Sequence, residues 1–421
     1  MVQTHLKHVP KLAPGVGALP AESSAFAATQ AAWRFLNNER VTLAALAEPL
    51  REVGRRRLAA DDAPFGLLVH DWCKLTYRQP KRKRDLVQLT HETDVGYELT
   101  CALLVSGRNG RPLAPMELHL QTGEGVFSTR SPAPRRVAHL EQVLPTMRAA
   151  ASWKLDRPLV HVIDREADSV DHLRRWAADG HQYLIRGDDR RVRWNGESRL
   201  LSEIRLSEIR TRLRNAGQLR DVGPAQHQGR AARLFVTETD VVLDRPAKKN
   251  VQGRRFTKAG QPLTLRFLVV QVRDKPGQRV LAEWLLLSNV PASLADTARL
   301  ARGYYWRWRI ESFFKLLKSH GQELEQWQQR TGAAIARRLL VAAMACVVVW
   351  ELQADDSPEA VELKQVLVRL SGRQTRRSRP HTSPALLAGL WVLNSMLSLT
   401  EHYSLTDLRR LAQSIPYLDS A

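Results

Sequence analysis

The sequence predicts an α/β protein with a partly parallel sheet, a β-rich insertion and helical segments at both ends. Short apolar runs at 65–69, 97–105 and 159–163 have the length of strands, and a segment with helical periodicity, 168–178, follows the third. Strands that alternate with helices favour a parallel sheet. From 188 to 297, Gly and Pro turns separate β-like runs, and the chain beyond is mainly helical in pattern.

The segment before the sheet predicts two short helices. Residues 1–20 carry three prolines and are expected to be irregular, whereas helical periodicity runs from 22 to 58. Pro49 is expected to kink or interrupt the second helix. The outer end of this helix is basic, with Arg51, Arg55, Arg56 and Arg57. The pattern fits a small DNA-binding domain and fits equally well a helical cap on the next domain.

An excess of basic residues dominates the composition. Among 421 residues, 64 are Lys or Arg and 43 are Asp or Glu, so the formal net charge is +21. An excess of this size indicates a polyanionic partner, most often nucleic acid. The alternative is a protein that is basic only for solubility. Basic clusters at 74–84, 253–255 and 373–379 suit DNA binding, and they suit charged loops as well.

Cysteine usage and hydropathy predict a cytoplasmic protein without membrane contact. Three cysteines (Cys73, Cys101 and Cys346) argue against a disulfide framework and a four-cysteine zinc site, and they fit a reducing compartment. The N-terminus shows no apolar signal segment. The longest apolar run, 339–350, is too short for a bilayer and predicts a buried helix.

Two aspartates, Asp71 and Asp164, follow predicted strands directly or after one residue. Strand ends in open α/β sheets are where ligands and catalytic groups gather. A single Asp at such a place is more often a helix cap or turn residue. Asp164 opens the acidic segment 164–168, in which Asp168 is expected to cap the following helix.

A segment from 303 to 318 mixes aromatic and basic residues with one carboxylate. On a single helix at about 100° per residue, five side chains share a sector of roughly 80°: Tyr304, Arg307, Glu311, Lys315 and Lys318. The apolar residues fall on one flank outside that sector. An ordinary amphipathic helix with i,i+4 ion pairs explains the pattern, and so does a surface that binds a nucleic-acid strand.

Three carboxylates, Asp71, Asp164 and Glu311, suggest a metal-dependent reaction. Mg²⁺ takes oxygen ligands, keeps several waters and is typically held by one or two carboxylates plus substrate phosphates. Two such ions clamp the attacking and leaving oxygens of a phosphoryl transfer. We therefore predict that these three residues are catalytic and bind two Mg²⁺ ions, with Mn²⁺ as a substitute.

The spacing Tyr304-x2-Arg307-x3-Glu311-x6-Lys318 resembles the Tyr-Arg-Glu-Lys signature of bacterial DDE transposases of the insertion-sequence-4 family. Segments 70–77 and 164–168 resemble that family's surroundings of its first and second catalytic aspartates, and 32–38 resembles its N-terminal helical domain. The resemblance spans roughly residues 20–345. It departs from the family just after Asp71, where Trp72 and Cys73 replace the Ser or Thr of many relatives.

The resemblance implies an RNase-H-like α/β core interrupted by a β-strand insertion domain. The expected organisation is a helical DNA-binding domain (1–62), a first core part (63–187), the insertion (188–297), a second core part with Glu311 (298–345) and a C-terminal helical domain (346–421). The expected activity is cleavage at the terminal inverted repeats of an insertion sequence, followed by joining of the 3′-hydroxyl ends to target DNA. A bacterial cytoplasmic location at the nucleoid is expected with it.

The resemblance also implies DNA-binding residues. Tyr304, Arg307 and Lys318 would hold phosphates near the scissile bond, and Arg186 would grip DNA. Trp284 would stack on a flipped base where a hairpin forms at the element end, although a core Trp on a strand is an equally good interpretation.

The expected partners are double-stranded DNA, both element ends and target, and a second copy of the chain. The candidate dimer interface lies in 346–421 and includes Leu386, Leu387, Leu390, Trp391 and Leu393; a core helix is the alternative. Two other functions stay open: an RNase-H-like nuclease without strand transfer, and a catalytically silent, transposase-derived DNA-binding regulator.

Overall fold

The structure is a computed structural model. It describes residues 23–77, 80–195, 202–251, 254–274, 278–318, 321–373 and 381–413. The predicted irregular segment 1–20 and all but the first residue of the basic cluster 373–379 lie outside the described residues.

Two helices precede the sheet, α1 (Ser23–Leu36) and α2 (Leu43–Ala59). Thr42 caps α2 by accepting a hydrogen bond from the Ala45 amide at 3.2 Å. The expected interruption at Pro49 is wrong, because α2 runs through Pro49 as one helix. Apolar packing outweighs the hydrogen bond that proline removes: Ala47, Leu50 and Leu58 are buried on one side of α2.

Six strands form the first part of the sheet, and one of them has only two residues. They are β1 (Gly66–Leu75), β2 (Val87–Gln88), β3 (Val95–Ser106), β4 (Pro112–Thr122), β5 (Gly125–Ser128) and β6 (Leu159–Ile163). Helix α3 (His139–Ala150) precedes β6, and α4 (Val170–Ala178) leads to β7 (Gln182–Arg186). The spatial order is β5-β4-β3-β1-β6-β7, in which β1-β6 and β6-β7 are parallel and the other pairs are antiparallel.

The strands of 188–297 extend this same sheet. The extending elements are β8 (Arg191–Trp194), β9 (Ser202–Arg205), α5 (Leu206–Asn215), β10 (Arg220–His227), β11 (Arg230–Leu243), β14 (Leu263–Asp274) and β15 (Val280–Ser288). Strand β15 pairs antiparallel with β7 and is followed in space by β14, β11, β8 and β9. A separate hairpin joins β12 (Ala247–Val251) to β13 (Arg254–Lys258). Among the described residues the main sheet thus has 13 strands, and the β-rich segment is continuous with the first part.

Helices cover both faces of the sheet. The later ones are α6 (Thr297–Tyr305), α7 (Trp308–Lys318), α8 (Gly332–Ala354), α9 (Pro358–Leu370), α10 (Ser383–Thr400) and α11 (Leu405–Gln413). Apolar residues of α6, α7 and α8 pack with Leu67 and Val69 of β1 on one face. On the opposite face, α3, α4 and α5 pack with Ile163 and with alternate residues of β14. Because strand side chains alternate between faces, each face has its own core.

In the part of the chain that the structure describes, two helices, α8 and α10, are long and apolar enough to cross a membrane by length and composition. The apolar run 339–350 lies within α8, and 83% of the apolar window of this helix is buried in the protein. A buried core helix of a soluble protein meets the same criterion, so this is weak evidence for a membrane span. In α10 the corresponding buried share is 22%.

The predicted dimer contacts in α10 divide between core and surface. Leu386 and Leu387 are fully buried in the core, so for these two residues the core-helix alternative is correct. Leu390, Trp391 and Leu393 are partly buried against the same core. The apolar residues that α10 exposes include Val392, Met396 and Leu397.

Candidate active site

Asp71 and Asp164 lie at the point where the pairing of two neighbouring strands ends. The parallel register of β1 and β6 ends at the pair His70 and Ile163; Asp71 is the next residue on β1, and Asp164 is the first residue after β6. The expectation that β1 ends before Asp71 is wrong: β1 continues to Leu75, because its antiparallel pairing with β3 persists after β6 has ended. Asp71 follows Leu67 and Val69 on the face covered by α6, α7 and α8.

The turn after β6 holds the Asp164 carboxylate in place. Its Oδ1 accepts a hydrogen bond from the Arg165 amide at 2.7 Å and caps a one-turn 3₁₀ helix, Arg165–Ala167. The expectation that Asp168 caps the next helix is wrong, because Ser169 occupies that position. Asp168 instead accepts a hydrogen bond from the Asp188 amide at 2.6 Å and pairs with Arg190.

The predicted single helix that carries the signature is two helices. Tyr304 lies near the end of α6, Trp306 and Arg307 form the break, and Glu311 and Lys318 lie on α7. The turn between β3 and β4 docks onto this break. Arg309 Nε donates to the Gly110 carbonyl at 2.8 Å, and the Trp306 ring lies over Gly110. Tertiary packing therefore redirects the chain at Arg307, and the five-residue sector expected on one helix does not form.

Arg307 contacts all three of the predicted catalytic carboxylates. Its Nη1 donates to Asp71 Oδ2 at 3.1 Å, and its Nη2 donates to Glu311 Oε1 at 2.8 Å. The same Nη2 lies 3.4 Å from Asp164 Oδ2. The Arg307 side chain is only 5% exposed. The structure thus brings Asp71, Asp164 and Glu311 together around one buried guanidinium.

Burial and charge shift the pKa values at this cluster. Burial raises the pKa of Asp71 to about 6, although Arg307 and the Trp72 amide oppose the shift. For Arg307, burial acts to lower the pKa, but Tyr304 and the three carboxylates outweigh it and the net direction is upward. Burial and the neighbouring Asp164 raise the pKa of Tyr304. Arg307 therefore stays charged and compensates the clustered carboxylates.

Tyr304 and Arg186 lie beside the Asp164 carboxylate, and Trp284 packs behind Tyr304. Tyr304 donates its hydroxyl to Asp164 Oδ1 at 3.0 Å, and Arg186 Nη1 lies 3.9 Å from the same oxygen. Trp284 is 7% exposed and packs on Tyr304, with ring centroids 5.4 Å apart. Four of the five predicted DNA contacts thus lie at or next to the carboxylate cluster, but three of them (Tyr304, Arg307 and Trp284) are buried rather than on an open surface.

Lys318 joins α7 to the end of β1. Its Nζ donates to the Lys74 carbonyl at 2.7 Å and lies 3.1 Å from Glu325 Oε1. Glu325 also accepts from the Thr76 amide at 2.9 Å. Lys318 thereby fixes the helix that carries Glu311 against the strand that carries Asp71.

The chemistry of the donor set suits a hard divalent cation. Carboxylate oxygens are the ligands that Mg²⁺ and Mn²⁺ prefer. Among the residues that the structure describes, no group of three His, Cys, Asp or Glu side chains is arranged to hold a metal ion. The three carboxylates converge on Arg307 instead. By chemical type the three carboxylates fit the predicted Mg²⁺, but in their present arrangement the Arg307 guanidinium lies among them.

One contact that links the two aspartate segments has no signal in the sequence. Trp72 stacks on His139, with ring centroids 3.9 Å apart. The His139 nitrogens lie 3.4 Å from Glu98 Oε1 and 3.3 Å from Glu166 Oε2. This contact joins β1, just after Asp71, to the turn just after Asp164. Trp72 is one half of it.

His139→Ala is expected to lower the free energy of unfolding by about 1–2 kcal/mol, because it removes both the ring stack and two contacts with carboxylates. His139→Phe keeps the stack and should lose less than about 1 kcal/mol. Urea unfolding of the two variants beside wild type measures the difference. Equal losses for both variants would assign no part of the effect to the stack.

A family model described as a transposase DDE domain matches residues 118–348, more than half of the chain. The matched range contains Asp164, Arg186, Trp284 and the segment from Tyr304 to Lys318, whereas Asp71 lies before it. A solved structure of the piggyBac transposase, in a synaptic complex with hairpin DNA, matches at 11% identity and a TM-score of 0.32. That match covers 84% of this chain, which spans 57% of the piggyBac chain; similarity this low establishes nothing further. On the strength of the family model, the chain belongs to the transposase DDE domain family.

Proposed function

We propose that the chain is a DNA transposase that cuts the terminal inverted repeats of its element and joins the freed 3′-hydroxyls to target DNA. The observation that carries the proposal is the convergence of Asp71, Asp164 and Glu311 on one point. The three residues come from β1, the turn after β6 and α7, and two of them lie within the matched transposase domain. A partly buried cluster of carboxylates lowers stability unless a cation compensates its charge.

The finer assignments rest on the sequence and the topology together. The order β4-β3-β1-β6-β7, in which only the last three strands are parallel, supports an RNase-H-like core. The Tyr304, Arg307, Glu311 and Lys318 spacing supports the insertion-sequence-4 family. The five-domain division and the cytoplasmic location at the nucleoid are part of the same proposal.

Asp71, Asp164 and Glu311 would hold Mg²⁺ or Mn²⁺. When bound, the ions would activate the attacking oxygen and stabilise the leaving 3′-oxygen of an in-line phosphoryl transfer. The protein's own groups position the reaction. Tyr304 orients the Asp164 carboxylate through its hydroxyl, and Lys318 holds α7 against β1.

Double-stranded DNA is the proposed substrate, and the net charge of +21 supports it. Arg186, Arg307, Tyr304 and Lys318 are the proposed phosphate contacts. Trp284 is the proposed base-stacking residue, but a base reaches its ring only after neighbouring side chains move, because it is 7% exposed. A homodimer in the DNA complex is also proposed, with the exposed apolar residues of α10 as its contact.

The experiment that tests the function uses element ends taken from the inverted repeats that flank the reading frame. Full-length protein is incubated in Mg²⁺ with pre-cleaved end duplexes and a supercoiled target plasmid, and in parallel with uncut ends. Joined end–plasmid products support the transposase. Cleavage of uncut ends without joining indicates the nuclease, and end binding without either product indicates the regulator; each of these outcomes contradicts the proposal.

A further inference from the structure

Arg307 contacts the carboxylate oxygens that face the centre of the cluster. It contacts Oδ2 of Asp71, Oδ2 of Asp164 and Oε1 of Glu311. The outer oxygens of the two aspartates have other partners. Asp71 Oδ1 accepts from the Trp72 amide at 2.9 Å, and Asp164 Oδ1 accepts from the Arg165 amide and the Tyr304 hydroxyl. The inward oxygens are therefore the ones open to exchange.

We propose that Arg307 is a built-in counter-cation that competes with the divalent metal for these three carboxylates. The proposal rests on the proposed function. A divalent ion needs its oxygen ligands at about 2.0–2.2 Å, whereas the guanidinium nitrogens stand 2.8–3.4 Å from the same atoms. Two cations among one set of oxygens would repel each other at short range. Metal binding therefore requires Arg307 to leave.

The position of Arg307 in the fold allows its side chain to move away from the carboxylates. It lies in the break between α6 and α7 rather than inside a helix, and its neighbour Trp308 is 49% exposed. A phosphate group is the natural acceptor for a guanidinium, which binds it through two parallel hydrogen bonds. DNA that draws Arg307 outward would then free the carboxylates. Phosphate binding and metal binding would favour each other, and the free protein would hold metal weakly.

Mn²⁺ binding to the full-length protein without DNA tests the competition. Free Mn²⁺ is counted by electron paramagnetic resonance in titrations of wild type, Arg307→Gln and Arg186→Gln. Arg186 is the matched control, because it is also a cation near Asp164, but it contacts neither Asp71 nor Glu311 among the described ion pairs. We expect Arg307→Gln to bind Mn²⁺ about tenfold more tightly, and Arg186→Gln to stay within about threefold of wild type.

Three results would overturn the proposed competition between Arg307 and the metal. If Arg307 only holds the carboxylates in place for the metal, Arg307→Gln binds Mn²⁺ more weakly than wild type. That result, or equal affinities for wild type and Arg307→Gln, overturns the competition. Equal gains for the Arg307 and Arg186 variants also overturn it, because general electrostatics then explains them.

Thermal unfolding supplies a second measurement on the same proteins. Without added metal, Arg307→Gln should melt below wild type, because three carboxylates lose their shared cation. Its upward shift on adding Mn²⁺ should nevertheless exceed that of wild type, and a smaller shift contradicts the proposal.

Arg307→Lys, which keeps the charge, covers the case in which Arg307→Gln does not fold. It should bind Mn²⁺ with an affinity at or above that of wild type, and weaker binding overturns the proposal.

Two further variants separate this inference from the proposed function. Asp164→Asn and Glu311→Gln each remove one predicted metal ligand. If they bind Mn²⁺ as wild type does, the metal does not use these carboxylates and the proposed function fails. If they lose Mn²⁺ while Arg307→Gln matches wild type, the function stands and only the competition fails.

Discussion

Asp164→Asn is expected to lower the rate of strand cleavage at element ends by about a thousandfold or more in Mg²⁺, while end binding is retained. Removing one member of a catalytic set that acts as a unit typically has an effect of this size. The change keeps the size of the side chain and an oxygen that accepts from the Arg165 amide and the Tyr304 hydroxyl. The local fold should therefore persist, and the loss should be chemical.

The measurement pairs a cleavage assay with a binding assay on the same end DNA. Glu166→Gln is the matched control, because Glu166 lies two residues away in the same turn and its side chain is 64% exposed. It should cleave at close to the wild-type rate. Robust cleavage by Asp164→Asn would remove Asp164 from the reaction.

Gly110→Ala is expected to lower the free energy of unfolding by about 3 kcal/mol and to slow cleavage. Gly110 has a φ of +70°, and a Cβ there would lie 2.3 Å from the Trp306 ring. The left-handed backbone contributes about 1 kcal/mol of the loss, and the steric overlap contributes about 1–3 kcal/mol more. Because Trp306 directly precedes Arg307, displacing its ring also disturbs the carboxylate cluster.

Gly180→Ala is the matched control for the backbone term. Gly180 has a φ of +76°, and a Cβ there would meet nothing within 4 Å. This variant should lose only about 1 kcal/mol and should cleave normally. Urea unfolding and the cleavage assay are run on both variants. Equal losses of stability would show that the contact with Trp306 contributes nothing.

The neighbourhood of Asp71 and Asp164 follows from local sequence. Each aspartate comes at or near the end of an apolar run, and neighbouring parallel strands bring such positions together. The exact end of β1 could not be predicted in this way, because its last residues are held by pairing with β3 (Val95–Ser106), a strand outside the local pattern. Strand length here depends on a partner that the local pattern does not reveal.

The place of Arg307 could not be derived from periodicity. A regular helix from 304 to 318 puts Arg307 on the same face as Lys315 and Lys318, as one of several surface cations. The break at Trp306 and Arg307 arises because the β3–β4 turn packs against it, through Gly110 and Arg309. Once the chain is redirected there, Arg307 points to the carboxylates. Tertiary contact thus overrides the local pattern.

Two contacts around the site also could not be predicted from local sequence. Trp284 lies on β15, and its burial against Tyr304 depends on β15 pairing with β7, about 100 residues earlier in the chain. The stack of Trp72 on His139 depends on where α3 begins. Neither contact has a periodic signal, although the aromatic residues themselves are visible in the sequence.

The most direct test of the central claim, that Asp71, Asp164 and Glu311 form one cation site, is a crystal of the full-length protein with end DNA soaked in Mn²⁺. We expect an anomalous manganese peak in contact with Asp71 and with at least one of the other two carboxylates, and Arg307 displaced toward a DNA phosphate. Manganese bound elsewhere, with Arg307 still bridging the three carboxylates, would contradict the account.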